Sequence, residues 1–150
     1  MIQIPAWPAI VAAWVCLAPL AAEARGRGPQ AAETTTAPLE IHPPLVAEAE
    51  RHLGQGNFTG RPGPWCAWAI SAWLKAIGLP PLASGMASSA LAYGPRTSSP
   101  RPGDLAVMRG HVGIVVADRG AKIEIISGNW GGRVRLAEID RRAVRAFVRS

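Results

Sequence analysis

The chain has 150 residues, 49% of them hydrophobic, and a formal net charge of +6 at pH 7, which fits one folded domain with an additional tail. The positive charge favours acidic partners, such as acidic polymers, anionic lipid or nucleic acid. Nucleic acid would be the weakest of these candidates for an exported chain. Because the basic residues are mostly scattered arginines, an ordinary solvated surface is the simpler interpretation of the charge.

The first 24 residues have the pattern of a secretory signal peptide. The sequence is uncharged until Glu23, runs apolar from Ile4 to Ala22, and ends in an A-x-A pattern at Ala24, directly before Arg25. No basic residue precedes the apolar stretch, and its length approaches that of a membrane span, so a retained anchor is the alternative. Three prolines and the A-x-A ending favour cleavage, and we therefore expect an exported protein, periplasmic or extracellular.

Residues 25–40, "RGRGPQAAETTTAPLE", hold almost no large apolar side chain and predict a flexible linker. The folded domain is expected over residues 41–150. Cleavage would remove Cys16 and leave Cys66 as the single cysteine of the exported chain. An unpaired thiol in an exported protein can link two molecules, lie inert in the core, or react.

Three helices are predicted in the first half of the domain. "PPLVAEAERHLG" has Pro43 and Pro44 at its start and Gly54 just past its end, the usual asymmetry of a short helix. "PGPWCAWAISAWLKAIG" predicts a helix with Pro64 in its first turn and Gly78 after its end. Because this helix is apolar on nearly all sides, it should be buried. "MASSALAYG" predicts a third short helix.

Five strands are predicted after residue 100, in the segments "DLAVMRG", "HVGIVVA", "KIEIIS", "RVRL" and "AVRAFVR", and the last segment could instead be the end of a helix. They are short, rich in β-branched residues and separated by turn signals such as "DRG". Helices first and an antiparallel sheet second indicate an α+β fold.

Cys66 is the candidate nucleophile. It falls in the first turn of the buried helix, where unpaired N–H groups and a partial positive charge favour a thiolate. The same N–H groups could stabilise an oxyanion that forms on a substrate. The alternative is a small buried core residue, a common place for free cysteine.

His111 is the candidate base. It opens a predicted strand and lies between Gly110 and Gly113, which leave space around the imidazole. His42 and His52 are expected at the surface. From this local pattern alone, His111 could equally be a solvent-exposed residue at a strand end.

The segments "WCAWAISAWL", "RPGDLAVM" and "GHVGIVVA" stand in the order and spacing that resemble the NlpC-type and CHAP (cysteine, histidine-dependent amidohydrolase/peptidase) cysteine hydrolases. The resemblance covers most of Phe58 to Leu136. It implies a papain-like fold, in which helices pack on a small antiparallel sheet, a cysteine begins a helix and a histidine begins a strand. It also implies cleavage of peptidoglycan, as an amidase or a stem-peptide peptidase, with no cofactor.

The third member of such a site is a polar residue on the next strand that orients the histidine. In the resembled family an acidic residue often lies two positions before an asparagine; here Ser127 takes the acidic position and Asn129 keeps the asparagine. An amide oxygen can accept the imidazole N–H and fix the tautomer, so Asn129 is the predicted orienting residue. Glu124 is the alternative, although strand alternation puts it opposite Ser127. Asn129 could also be an ordinary turn residue.

Trp65 and Trp130 flank the candidate nucleophile and orienting residue, and we expect them to line a groove for sugar rings or a peptide. Trp68 and Trp73 are expected in the core. No pair of histidines has the spacing of metal ligands, and one cysteine cannot build a zinc site.

The sequence therefore predicts an exported, monomeric cysteine hydrolase with a Cys66–His111–Asn129 site, acting on the amide bonds of peptidoglycan or its stem peptides. We expect no cofactor, no metal, no nucleic-acid partner and no stable membrane insertion after cleavage. Two alternatives stay open: a non-catalytic wall-binding module that keeps the fold, and a thiol-dependent acyltransferase.

Overall fold

The computed structural model describes residues 43–150. The predicted signal peptide (1–24), the linker (25–40), Cys16 and His42 lie outside the described residues. Export, cleavage and the domain boundary at residue 41 therefore stay predictions.

Two α-helices precede the sheet: α1 covers Pro44–Glu50 and α2 covers Cys66–Ala76. Helix α2 begins later than predicted, because Pro64 precedes it and Trp65 takes the N-cap position. The third predicted helix is a 3-10 helix over Ala87–Ala92. Among residues 43–150, no helix has both the length and the apolar character needed to cross a bilayer.

Six strands form one antiparallel sheet in the order β1-β6-β2-β3-β4-β5. The strands are β1 (Arg96–Thr97), β2 (Leu105–Met108), β3 (His111–Asp118), β4 (Lys122–Trp130), β5 (Arg133–Asp140) and β6 (Val144–Val148), with a 3-10 helix over Arg141–Ala143 before β6. Strands β4 and β5 are longer than predicted, so the segment "SGNW" belongs to β4 rather than to a loop. The α+β fold class is confirmed.

The core lies mainly between the helices and one face of the sheet. Ile70 and Trp73 of α2 are fully buried in the same apolar cluster as Val112 and Ile114 of β3. Val115 belongs to a second apolar cluster, as expected when successive side chains alternate between the faces of a strand. Burial of each such aliphatic side chain contributes about 1.5–3 kcal/mol.

Gly128 allows the first turns of α2 to lie directly on β4. A Cβ atom at this position would lie 2.6 Å from Ala69 Cβ and 2.6 Å from the Trp65 ring. Both distances are far below van der Waals contact, so any side chain at 128 would force the helix and the strand apart. The absent side chain therefore sets the distance between the start of α2 and the sheet.

The aspartate of the "RPGD" segment has a structural role. Asp104 is buried, and its carboxylate accepts hydrogen bonds from the Arg101 backbone N–H at 2.8 Å and from Arg149 Nη1 at 2.6 Å. Its backbone oxygen accepts from the Val115 N–H at 2.7 Å. These bonds tie the loop before β2 to β3 and to the chain after β6.

We expect Gly128→Ala to lower the free energy of unfolding by about 1–3 kcal/mol, the usual cost of overpacking a tight contact. Gly56→Ala is the matched control, because nothing lies within 4 Å of the added Cβ. Urea unfolding of both variants measures the difference. Equal stability of Gly128→Ala and the wild type would contradict the close approach of α2 to β4.

Candidate active site

Cys66 is the first residue of α2 and is 2% exposed. It is the free cysteine of the described residues. The N–H groups of a first helical turn have no acceptor within the helix, and the dipole of the 11-residue α2 adds partial positive charge at this end. Within residues 43–150, no group of three or more histidine, cysteine or acidic side chains could hold a metal ion.

Cys66 lines a cavity of about 360 Å³. Its walls come from the start of α2, the 3-10 helix before β1, the turn between β2 and β3, and β6. The lining residues are Pro64, Cys66, Gly85, Met86, Ala87, Ser88, Leu91, Val107, Met108, Gly110 and Arg145. Gly110 directly precedes His111, and Met108 pairs with His111 in the sheet. Cys66 and the turn that carries the imidazole therefore line the same cavity.

The imidazole of His111 is held by strand β4. Its Nε2 lies 2.8 Å from Ser127 Oγ, and the Trp130 ring packs edge-on against it, with centroids 5.2 Å apart and the planes at 78°. When Nε2 carries the proton, it donates to Ser127 Oγ and Nδ1 keeps its lone pair. Nδ1 is then the ring nitrogen left for proton transfer. Among the described residues there is no hydrogen bond between His111 and Cys66.

Gly113 makes room for this pair. A Cβ atom at Gly113 would lie 2.9 Å from Ile125 Cδ1 and 3.2 Å from Ser127 Cβ. Gly113 is two residues after His111 on β3, on the same face of the strand. The glycine of "GHVG" thus gives space to the buried Ser127 side chain and lets its hydroxyl reach the imidazole.

Burial lowers the pKa of His111 below its ordinary value, because desolvation disfavours the imidazolium. The hydroxyl of Ser127 carries no charge that would oppose this effect. The imidazole is therefore neutral at neutral pH, and a neutral imidazole is the form that can accept a proton.

The contact predicted for Asn129 is made by Ser127 instead. Asn129 has a φ of 60°, and the pairing of β4 with β5 shifts register between Ser127 and Trp130. Among the described residues there is no hydrogen bond from the Asn129 amide to His111. This corrects the predicted orienting contact: the residue that touches the imidazole occupies the family's acidic position. Glu124, the alternative, pairs with Arg119 at 3.2 Å.

The two tryptophans expected to line a groove have different surroundings. Trp65 is 3% exposed; it packs over Gly128 and makes an edge contact with Phe58 at 5.9 Å. The ring of Trp65 therefore belongs to the core, which gives no support to the prediction that it lines a substrate groove. Trp130 is half-buried beside His111, so a role in substrate binding stays a prediction for it.

Sequence reasoning missed two residues near the site. Ser127 contacts His111, and the signal that could have found it was its place at the family's acidic position. Arg145 lines the cavity beside Cys66, and no motif in the sequence distinguishes it from the other scattered arginines. Of the tryptophans predicted in the core, Trp73 is fully buried and Trp68 partly buried.

A helix-start cysteine, a strand-start histidine and an antiparallel sheet are the features of a papain-like cysteine hydrolase domain. Residues 58–129 match the family model of the CHAP domain, and this segment includes Cys66, His111 and Ser127. This match confirms the predicted resemblance to the CHAP/NlpC-type superfamily. CHAP domains are in general amidase or peptidase domains, and peptidoglycan is the substrate that the family implies. No curated protein matches the chain in a sequence comparison.

The lowered pKa of His111 predicts a loss of stability in acid. The unfolded chain has an imidazole pKa of about 6.5, and the folded value is lower. Between these values the unfolded state binds more protons, so the contribution is complete above about pH 6.5 and is lost as pH falls through the folded pKa.

We expect the free energy of unfolding of the wild type to fall more steeply below about pH 6.5 than that of His111→Gln, because glutamine does not titrate. Urea unfolding between about pH 8 and pH 4.5 measures both slopes. Carboxylates titrate in both proteins, so the difference between the curves isolates His111. Parallel curves would contradict burial of a neutral imidazole.

Proposed function

We propose that this domain hydrolyses an amide bond of peptidoglycan, with Cys66 as nucleophile, His111 as general base and acid, and Ser127 as the residue that positions His111. The observation that carries the proposal is the 2.8 Å contact between His111 Nε2 and Ser127 Oγ. It fixes the ring so that Nδ1 is free, while the turn before His111 and the thiol of Cys66 border one cavity.

The first half of the reaction forms a thioester. His111 Nδ1 takes the thiol proton, and the Cys66 sulfur forms a bond to the carbonyl carbon of the substrate amide. The carbonyl electron pair moves to oxygen, where N–H groups at the start of α2 stabilise the oxyanion. When the carbon–nitrogen bond breaks, His111 returns its proton to the leaving nitrogen, and an amine departs.

The second half consumes one water molecule. His111 takes a proton from this water, and the hydroxide oxygen attacks the thioester carbon. The carbon–sulfur bond breaks, a carboxylic acid leaves, and the proton returns to the sulfur of Cys66. Each cycle thus converts one amide and one water into one amine and one carboxylic acid.

An uncharged orienting residue makes His111 a base that rests in its neutral form. A carboxylate at position 127 would stabilise the imidazolium by its charge, whereas a hydroxyl only fixes the ring. Ser127 is fully buried, so water does not compete for the Nε2 contact. The proposed site therefore depends on orientation more than on charge.

The cellular site is part of the proposal. The apolar N-terminal segment with its A-x-A ending supports export, and the substrate class lies outside the cytoplasmic membrane. We propose that the domain acts as a monomer in the periplasm or outside the cell.

Cys66→Ala should abolish hydrolysis, because residues 43–150 contain no other thiol that could form the thioester. The side-chain change is small, so we expect a loss of stability of only about 1 kcal/mol. Mass spectrometry of fragments released from purified peptidoglycan measures the activity and identifies the bond cleaved. Undiminished release of fragments by the folded variant would rule out the mechanism.

Ser127→Ala should lower kcat by about 10- to 100-fold, part of the 10²–10⁴ that a positioned general base contributes. The matched control is Asn129→Gly, which removes the amide but suits the φ of 60° at that position. We expect this control to keep near wild-type kcat. A larger loss in Asn129→Gly than in Ser127→Ala would return the orienting role to Asn129.

A further inference from the structure

Arg145 contributes the charge of the cavity that holds the thiol. Of the cavity-lining residues, it is the one with a charged side chain, and Met86, Leu91 and Met108 make much of the remaining wall apolar. The volume of about 360 Å³ lies in the range of sites that hold small ligands or single residues of a chain. An apolar chamber with one cation favours a ligand with an aliphatic part and an anionic group.

A bulge in strand β6 places Arg145 at this cavity. Val107 pairs with Ala146 and Met108 pairs with Val144, so Arg145 is the extra residue between two aligned pairs. A bulge of this kind redirects a side chain and is common beside active sites. In a regular strand, side chains would alternate between the two faces of the sheet through residue 145. Because the bulge interrupts this alternation, it determines the direction of the Arg145 side chain.

The guanidinium of Arg145 has no protein partner among residues 43–150, where it makes neither an ion pair nor a hydrogen bond. Three other arginines of the sheet region are paired, Arg141 with Asp118, Arg149 with Asp104 and Arg119 with Glu124, whereas Arg145 is unpaired among the described residues and lines the cavity. Arginine offers five donors and no acceptor, in a geometry that matches a carboxylate. Arg145 is therefore a free carboxylate-binding group at the wall of the cavity that contains Cys66.

We propose that Arg145 determines specificity by binding a carboxylate of the substrate close to the scissile amide. The substrate class is then a peptide in which the residue next to the cleaved bond has an aliphatic part and a free carboxylate. This inference rests on the proposed function, because it assigns one subsite of the same cavity. Two experiments separate its failure from that of the proposed function.

The first experiment measures charge at the thiol without any hydrolysis. Iodoacetate and iodoacetamide alkylate the same sulfur with the same leaving group, but only iodoacetate carries a carboxylate. The ratio of their rates at Cys66 should fall by about three- to tenfold in Arg145→Gln, the expected effect of one nearby charge in a partly solvated site. Since both reagents need the thiolate, the ratio cancels any change in thiolate fraction.

Arg142→Gln is the matched control, because Arg142 is an exposed arginine like Arg145 but does not line the cavity. It should keep the wild-type ratio, and Arg145→Lys should keep most of it. Equal melting temperatures establish that the variants fold alike. An unchanged ratio in Arg145→Gln, or an equal fall in Arg142→Gln, would overturn the assignment of Arg145.

The second experiment uses two synthetic stem peptides that differ only in whether the group next to the scissile bond is a carboxylate or a carboxamide. The wild type should cleave the carboxylate peptide with higher kcat/KM, and Arg145→Gln should lose this preference through a higher KM. Equal cleavage of both peptides by the wild type would overturn the proposal for Arg145 and leave the proposed function standing. If neither peptide is cleaved while purified peptidoglycan is, the proposal for Arg145 fails and the proposed function stands. If purified peptidoglycan is not cleaved either, the proposed function fails, and the alkylation ratio still decides whether Arg145 recognises an anion beside the thiol.

Discussion

The close contact between the start of α2 and strand β4 at Gly128 is the constraint on which the site depends. Because residue 128 has no side chain, Trp65 and Ala69 lie directly on the strand, and Cys66, which lies between them in the sequence, is held close to the sheet. The neighbouring residue on β4, Ser127, reaches across to His111. Backbone packing, rather than a bond between the reacting groups, thus sets the relation of the thiol to the imidazole.

A second glycine sets the chemistry of the base. Gly113 leaves room for Ser127, and the buried hydroxyl orients the ring without adding charge. Desolvation then keeps the pKa of His111 low, so the imidazole is ready to accept a proton at neutral pH. The uncharged cavity wall beside it leaves Arg145 as the charge that an incoming substrate meets. In the proposed mechanism, orientation comes from the hydroxyl of Ser127, and charge recognition from the guanidinium of Arg145.

Periodicity and turn residues were enough to predict α2, β3 and the α+β layout, because their signals are local. The sequence also predicted that Cys66 begins a helix and that His111 begins a strand. The surroundings of Asn129, Trp65 and Arg145 could not be predicted in this way. Each depends on a feature that no local sequence pattern marks. Asn129 is a left-handed residue where β4 and β5 shift register, and Trp65 packs against a glycine of the sheet. Arg145 lies at a bulge that interrupts the alternation of side chains in β6.

The central claim is that His111 acts on the thiol of Cys66, and the pH dependence of alkylation tests it most directly. Iodoacetamide reacts with the thiolate, so its rate at native Cys66 reports how far the surroundings favour the anion. The account predicts that the neutral imidazole of His111 takes the thiol proton as the sulfur attacks, so that at neutral pH the wild type is alkylated faster than His111→Gln while the cysteine stays accessible in both. Profiles that coincide for the two proteins would contradict the account and leave Cys66 as a buried cysteine of the core.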